Sequence, residues 1–480
     1  MKPTCVPHAA PLAALAAAVL LAACAASAPQ PAAPELSPPL PSAWVGPAAT
    51  DTSLAEQTWA LAFRNTELAA LIDEALRANR DLKIAGERIE LARAQYGLAR
   101  ASLLPTVVLD ASMTAQRGPV GADPSRNRAG ETYTAGLAVP TWEIDFWGRI
   151  RSIVDSAERN VEATAAIRQY AQVSLVAQVA QGYLELLDID QQLEVSRRTA
   201  DARRENQRLI RLRFDAGVVS MVDVTQADTA LAQAEQTIVE LLRRSRISEN
   251  ALSVLLGRNP GPIVRKVALR DVPLPERLPA GLPSDLLRRR PDIVSAERTV
   301  AASAADLDAA RKAFLPTISL TGFLGLVSPQ LSQLLDAGRT AYSVTPGLTL
   351  PVFTAGRLEA NVDAALSRQR IAIEDYGRTT QIALREVEDA LTNFQRRRET
   401  GLVLERIVAS GRERLRLVEL RYLNGISSYF EVLDAQRVLF DAELQLSQST
   451  AATYGSVIQL YRALGGGWTV PPQPAQAAAR

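Results

Sequence analysis

Histidine and cysteine are nearly absent from this 480-residue chain, which has one histidine and two cysteines. Cys5, His8 and Cys24 all lie at the N-terminus. If a leader is removed before Cys24 and Cys24 is modified, the mature chain has no imidazole and no free thiol. That excludes cysteine or histidine metal sites and catalysis by Ser-His or Cys-His pairs. A P-loop is also missing, so we expect no enzyme, no metal and no cofactor.

Aromatic residues are scarce as well, at 5% of the chain, and the net charge is only +1. The near-neutral charge gives no electrostatic reason to expect nucleic acid as a partner. Alanine, leucine and arginine dominate, and long tracts contain neither glycine nor proline. This composition favours long helices over a sheet-rich core. We expect the arginine runs 288–290 and 396–398 to lie on solvated helix faces.

The N-terminus carries a targeting pattern. Lys2 is followed by an apolar run that is too short to span a bilayer and ends at Cys24, as in a secretory signal. LAAC at 21–24 resembles the bacterial lipobox, so residues 1–23 are predicted to be a lipoprotein signal peptide and Cys24 the acylated first residue. An ordinary signal peptide is the alternative. Residues 24–53, rich in Pro and Ala, are predicted to be an acylated tether without a core of its own, and Ala25 favours the outer membrane.

The chain contains its main pattern twice. LRFDAGVVSMVDV at 212–224 matches LRYLNGISSYFEV at 420–432, and residues 81–106 match 292–317. Each copy of the first pair indicates a helix end, a glycine turn and an antiparallel return helix. We predict a first repeat at 54–257, an equatorial linker at 258–282, a second repeat at 283–465 and a C-terminal tail at 466–480.

Within each repeat, the period of the apolar residues changes from helical to two-residue. Alternation in 105–140 and 316–351 predicts one strand hairpin per repeat, and the Gly/Pro/Asn-rich segment 117–130 is predicted to be an exposed loop. Uninterrupted helical sequence then predicts long helical hairpins at 148–257 and 356–465. Their first helices, of about 66 residues, would be on the order of 100 Å long.

Four strands with one apolar face and one face of Thr, Ser and Gly cannot close a barrel alone, and open edges are costly in a membrane. We therefore expect several chains to share one barrel, and three copies would give twelve strands. The predicted fold is mainly α: a trimeric 12-stranded membrane β-barrel, four strands per protomer, continued by a long α-helical barrel with a small mixed equatorial region. A soluble sandwich sheet is the alternative, but it does not explain the acyl anchor or the long helices.

The duplicated units, the lipobox, LPSDLLRRRPDI at 282–293 and RYLNGISSYFEVLDAQ at 421–436 together resemble the TolC-like outer membrane efflux proteins. The closer resemblance is to the lipoprotein branch that serves resistance-nodulation-division (RND) pumps. It implies a homotrimer in the outer membrane, lipid-anchored on the periplasmic side and spanning the periplasm. Its partners would be outer membrane lipid, a periplasmic adaptor protein and an inner-membrane RND pump.

The resemblance implies a passive exit duct for small toxic compounds or drugs in a tripartite efflux system. A duct for type I protein secretion and a non-conducting periplasmic coiled-coil scaffold remain as alternatives.

The resemblance also implies functional residues at the glycine turns, which would lie at the periplasmic tip. The acids Glu431 and Asp434, with Tyr422, match a periplasmic gate, although the carboxylates could instead stabilise a helix N-terminus. Some relatives carry an arginine where this chain has Ser427, which puts a salt bridge there in doubt. Six residues match adaptor-contact turns, for which turn geometry alone is the alternative: Gly217, Val218, Ser220, Gly425, Ile426 and Ser428.

Overall fold

The computed structural model describes residues 41–45, 53–54, 65–120, 123–274 and 278–466. For 117–120 and 123–129 it describes the backbone alone. The predicted signal peptide, the acylation site Cys24 and the predicted tail after residue 466 lie outside these ranges.

The elements follow one another in two similar series. The first series is α1 (Thr66–Ala78), α2 (Arg80–Ala101), β1 (Val108–Val120), β2 (Asp123–Ile144), α3 (Arg149–Asp215) and α4 (Met221–Leu255). The second is α5 (Leu286–Arg289), α6 (Pro291–Lys312), β3 (Thr317–Ser328), β4 (Thr340–Thr349), α7 (Arg357–Leu423) and α8 (Tyr429–Ala463). Both series thus have the same order of helices, strand hairpin and long helical hairpin.

Asparagine side chains set the starts of the first two helices. The Asn65 side-chain oxygen accepts hydrogen bonds from the amides of Glu67 and Leu68, both at 3.0 Å. The Asn79 side-chain oxygen accepts a hydrogen bond from the Leu82 amide at 2.9 Å, and Asn79 separates α1 from α2. These caps satisfy amides that have no partner within the helix.

Two helices, α3 and α7, dominate the molecule, each with 67 residues. Each reverses at a glycine turn into a 35-residue return helix, α4 or α8. At 1.5 Å per residue the long helices extend about 100 Å, as predicted. No helix in the described residues is both long enough and apolar enough to cross a membrane.

The strands form one antiparallel sheet in the order β1-β2-β3-β4. Leu109 pairs with Leu137, which pairs with Leu324, which pairs with Tyr342, so these four side chains lie on the same face. We call this the apolar face; Leu109 is 82% exposed and Tyr342 is 80% exposed. The other, polar face carries the row that begins at Asp110. The predicted alternation is thus confirmed.

The predicted loop at 117–130 is wrong for most of its length. β1 continues to Val120 and β2 begins at Asp123, with Arg117 paired to Ala129 and Gly118 to Arg128. The glycines and prolines in this segment lower strand propensity, and proline has no N–H to donate. The backbone ladder still continues here because the neighbouring strand supplies partners for the carbonyls and for the amides of the other residues.

The strand-to-helix junction of the first repeat holds three more residues than that of the second. They lengthen β2 to Ile144, and the register of β2 against β3 shifts between Val139 and Trp142. Glu143 at the end of β2 then forms hydrogen bonds of 3.0 and 2.6 Å with Arg149 in α3.

The main apolar core lies where the linker crosses the long helices. It includes Ile72, Tyr183, Leu278 and Leu460, from α1, α3, the linker and α8. The Tyr183 hydroxyl donates to Glu67 at 2.8 Å, and the same carboxylate accepts from the Lys266 amide at 2.9 Å. This is the predicted mixed equatorial region.

The predicted tether is fixed to this region at its C-terminal end. The Trp44 indole donates to the Gly281 carbonyl at 2.8 Å and packs against the core. Ser53 and Leu54 are buried, and Ser53 forms a β-bridge with Ala280. The described parts of the predicted tether, at Trp44 and Ser53, thus pack against the equatorial core and form no core of their own.

The prediction that all arginines of the run 288–290 are solvated is also wrong. Arg288 is 82% exposed, but Arg290 is 2% exposed. The Arg290 guanidinium pairs with Asp292 at 2.6 Å and Glu386 at 2.7 Å, and donates to the Ala463 carbonyl at 2.9 Å. A charge can be buried here because every partner is present.

Candidate gate and docking turns at the helical tips

The two glycine turns have the same backbone geometry. Gly217 and Gly425 have φ values of 74° and 73°, a left-handed conformation that side chains with a Cβ rarely adopt. In the first turn the Val218 amide donates to the Arg213 carbonyl at 2.9 Å, and in the second the Ile426 amide donates to the Arg421 carbonyl at 2.9 Å. Both are Schellman motifs, so the duplication is preserved in atomic detail.

The return helices begin with paired serine and acid residues. The Ser220 amide donates to the Asp223 carboxylate at 2.9 Å, and the Ser428 amide donates to Glu431 at 3.4 Å. These are capping boxes, in which the acid three residues into the helix reaches back to the first amide. Glu431 therefore has a structural role, which favours the helix-stabilising interpretation of this residue.

Tyr422 lies inside a small apolar cluster that joins all four tip helices. Its ring centroid is 5.5 Å from that of Tyr429, and the cluster also contains Ile210, Val224 and Val432. The guanidinium of Arg213 stands 4.9 Å from the centre of the Tyr422 ring, a cation–π distance. The Tyr422 hydroxyl is buried and has no hydrogen-bond partner in the described part of the chain.

Asp434 holds an arginine on each side. Its carboxylate pairs with Arg414 of α7 at 2.7 Å and with Arg437 of α8 at 2.9 Å. The hydrogen bonds from Arg414 and Arg437 lower the pKa of Asp434 below its usual value. The acid therefore stays charged at neutral and mildly acidic pH, which a charged gate requires.

All six predicted adaptor-contact residues lie at the two turns, and Val218 and Ile426 are the most exposed apolar side chains among them. Val218 is 63% exposed and Ile426 is 67% exposed. A cavity of about 590 Å³ opens between the ends of α3 and α7 beside them, lined mainly by apolar side chains that include Leu209, Val218 and Leu423. The Gln436 side-chain oxygen is buried at this cavity and has no partner in the described residues.

The structure thus brings Tyr422, Glu431 and Asp434 to one end of the molecule, with Tyr422 turned into the cluster. The sequence did not reveal Arg414 or Arg437 as partners of Asp434. The sequence does contain a signal for Arg414. Arg414 precedes Gly425 by about as many residues as Asp434 follows it, so Arg414 and Asp434 lie opposite each other in the helical hairpin. In the described residues, no three His, Cys, Asp or Glu side chains are grouped so that they could hold a metal ion.

A family model described as outer membrane efflux protein matches residues 71–258 and 282–466. The chain belongs to the outer membrane efflux protein family. OprJ of Pseudomonas aeruginosa is 36% identical to this efflux protein over 435 residues, 90% of this chain and 91% of OprJ. The toluene efflux pump outer membrane protein TtgC of Pseudomonas putida is 36% identical over 424 residues, 87% of each chain.

The solved structures give the same result for the fold. The open state of the Neisseria gonorrhoeae MtrE outer membrane channel matches with a TM-score of 0.80 and 30% identity, covering 93% of this chain and 100% of MtrE. The predicted family and the predicted fold of helices with a four-stranded sheet are confirmed. This efflux protein is an exit channel of the outer membrane and not an enzyme.

Proposed function

We propose that three copies of the chain form one passive duct that carries small toxic compounds from an inner-membrane RND pump to the cell exterior. The observation that carries this proposal is the sheet. In the described residues β1 pairs only with β2 and β4 only with β3, so both outer strands have unpaired backbone groups. A membrane does not tolerate such edges, and pairing β4 with β1 of the next copy removes them.

Assembly into a ring is supported further along the molecule. β1 and β4 run in opposite directions, so a head-to-tail contact between copies continues the antiparallel pattern. Apolar side chains also remain exposed along the long hairpins: Val239, Leu242, Ile247 and Val254 on α4, and Ile371, Leu402, Val403 and Ile407 on α7. Surfaces of this kind usually mark protein contacts.

The lipid anchor at Cys24 is compatible with the fixed position of Trp44. The Val45 amide donates to Glu388 at 2.7 Å, and Glu388 lies 31 residues after Arg357, the first residue of α7. That separation is about 47 Å along the helix. The 20 residues from Cys24 to Trp44 reach about 62 Å when extended as polyproline II, which is enough for an acyl chain in the periplasmic leaflet of the outer membrane.

The proposed substrates are based on the names of the relatives, and the proposed adaptor contact is based on the exposed helical turns. OprJ, TtgC and MtrE are named as outer membrane or efflux channel proteins, and TtgC is named for toluene. For this chain we propose small toxic organic compounds as substrates and a periplasmic adaptor that contacts Gly217, Val218, Ser220, Gly425, Ile426 and Ser428. The exposed turns and the apolar cavity beside them support that contact.

Cysteine crosslinking in cells tests the adaptor contact. The described residues contain no cysteine, so Val218→Cys and Ile426→Cys each introduce one thiol there. We expect both to capture the adaptor of an RND pump, identified by mass spectrometry. Val264→Cys is the matched control, because Val264 is 69% exposed but lies in the equatorial linker. Equal capture from all three positions contradicts the tip contact.

Deletion of the gene tests the cargo. We expect the deletion to sensitise cells to small toxic compounds and Val218→Cys protein to restore resistance. Normal drug tolerance with loss of one secreted polypeptide favours type I secretion instead. A purified protein that stays monomeric in water without detergent and gives no bilayer conductance favours the scaffold.

A further inference from the structure

The polar face of the sheet contains a row in which one acid stands beside residues with almost no side chain. Asp110 pairs with Gly136, Gly136 with Gly325, and Gly325 with Ala341. Directly paired residues of an antiparallel sheet project to the same face, so this row lies opposite to the apolar row from Leu109 to Tyr342. Asp110 is exposed.

Gly136 and Gly325 form a strip of bare backbone, here called the glycine floor, in which neither position has room for a side chain. A Cβ on Gly136 would lie 2.5 Å from the Gly325 Cα, which is far inside van der Waals contact. Phe323, two residues before Gly325 on the same face, leans over this floor, and its Cζ lies 2.8 Å from where a Gly325 Cβ would be. The tip of the Phe323 ring therefore lies beside Gly325, two strand spacings, or about 10 Å, from the strand of Asp110. Only the side-chain-free Gly136 and Gly325 stand between them in this row.

The charged side chains of the described strands are all acidic. The strand side chains that the structure describes, in 108–116, 130–144, 317–328 and 340–349, include no lysine or arginine. Their acids are Asp110, Glu131 and Glu143. Glu143 is paired with Arg149, and Glu131 lies on the apolar face opposite Ala115. Asp110 is therefore the acid of the polar face that no salt bridge in the described residues neutralises.

We propose that Asp110 and Phe323 form a contact site for organic cations with an aromatic group inside the membrane-spanning part of the duct. This inference rests on the proposed trimer, in which the polar faces line the interior. The three copies of Asp110 then lie at the same height on the inner wall of the barrel. The carboxylates attract positive charge, and the Phe323 ring offers a cation–π and apolar contact. The glycine floor leaves room for the ligand beside the wall.

The electrostatic part is tested by labelling a single cysteine from outside intact cells. Ser112 is exposed on the polar face, two residues or about 7 Å from Asp110. In Ser112→Cys, we compare the rates at which a cationic and an anionic methanethiosulfonate reagent of similar size modify the introduced thiol at low salt. We expect Asp110→Asn to lower the cationic-to-anionic rate ratio about five- to tenfold, because charges at this distance interact strongly only when they are poorly screened. An unchanged ratio overturns the role of Asp110.

The control separates this inference from the proposed duct. Leu109→Cys lies one residue away on the apolar face, and we expect neither charged reagent to modify it in cells. If Leu109→Cys reacts and Ser112→Cys does not, the proposed orientation of the sheet is wrong. If the orientation holds but Asp110→Asn has no effect, only the present inference fails.

The aromatic part is tested with competitors of equal charge. We expect phenyltrimethylammonium to slow cationic labelling of Ser112→Cys about threefold more than tetramethylammonium at the same concentration. Phe323→Leu keeps an apolar side chain but should remove that difference while leaving the rate ratio of the two reagents unchanged. Equal protection by both competitors with Phe323 present contradicts aromatic recognition.

Discussion

At the scale of single residues, Arg290 lies in an arginine run that is typical of a protein surface, yet it is buried and holds three elements together. We call this set of contacts the Arg290 clamp. Its guanidinium joins the first turn of α6 through Asp292, the middle of α7 through Glu386 and the end of α8 through the Ala463 carbonyl. The three elements come from distant parts of the second repeat. Because the carboxylates lie around one charge, the position of each element depends on the other two.

The sequence contains a signal for this burial that a simple count of charges misses. Pro291 follows Arg290, and a residue before proline is forced out of the helical conformation. Arg290 accordingly has φ −79° and ψ 117°, so its side chain leaves the α5 face on which Arg288 points to solvent. The prediction of a solvated run treated the three arginines as equivalent, but only Arg288 and Arg289 lie within α5.

We predict that Arg290→Met lowers the stability of the fold by about 1.5–3 kcal/mol, because it removes the charged hydrogen-bond donor that Asp292 and Glu386 share. Both carboxylates are partly exposed, and Glu386 keeps its ion pair with Arg462 at 3.3 Å. The measurement is the apparent unfolding temperature of the detergent-purified protein by far-ultraviolet circular dichroism. Arg288→Met is the matched control, since the exposed Arg288 pairs only weakly with Asp285 at 3.5 Å. Equal unfolding temperatures for the two variants contradict the clamp.

At the scale of elements, the helices were more predictable than the strands. The long helices follow from continuous sequence with little glycine or proline, and their ends follow from Gly217 and Gly425, where only a residue without a Cβ fits easily. The extension of β1 to Val120 and of β2 from Asp123 could not be predicted locally, because it depends on partners in a neighbouring strand. The row from Asp110 to Ala341 also depends on strand register, which the sequence does not show.

The close contact between Gly136 and Gly325 gives a prediction about β2 and β3. Gly136→Ala and Gly325→Ala should each separate the two backbones and destabilise the sheet by about 2 kcal/mol or more, as overpacking does. Gly130→Ala is the matched control in β2, because nothing lies within 4 Å of its added Cβ. The measurement is the temperature at which the unboiled protein loses its native gel mobility. A loss at the same temperature in all three variants contradicts the close approach.

At the scale of the whole molecule, the two hairpins are connected by charges that cross between them. Glu443 of α8 is mostly buried and pairs with Arg198 of α3 at 2.7 Å and with Arg412 of α7 at 2.7 Å. Nearer the tip, Asp434 joins α7 and α8, and Tyr422 packs against both hairpins. The proposed gate is therefore the end of a connected set of contacts, and we expect its opening to require changes in several of them.

Within that set, the roles of Glu431 and Asp434 can be separated by substitutions that remove charge and keep shape. Glutamine can replace glutamate in a capping box, so Glu431→Gln keeps the start of α8 while removing one charge. Asp434→Asn leaves Arg414 and Arg437 without their shared carboxylate. Asp223→Asn is the control from the first repeat, because Asp223 caps α4 as Glu431 caps α8.

We predict that Asp434→Asn weakens block of single channels by a trivalent cation, added on the periplasmic side, about tenfold or more, and that Glu431→Gln weakens it less. Asp223→Asn should leave the block unchanged. Because Arg414 and Arg437 depress the pKa of Asp434, its charge is present at neutral pH and is lost only as the pH falls through that lowered value. The block in the unsubstituted protein should therefore persist into the acid range in which an ordinary aspartate is already half protonated. If the block in Asp434→Asn is as strong as in the unsubstituted protein, Asp434 does not line the constriction.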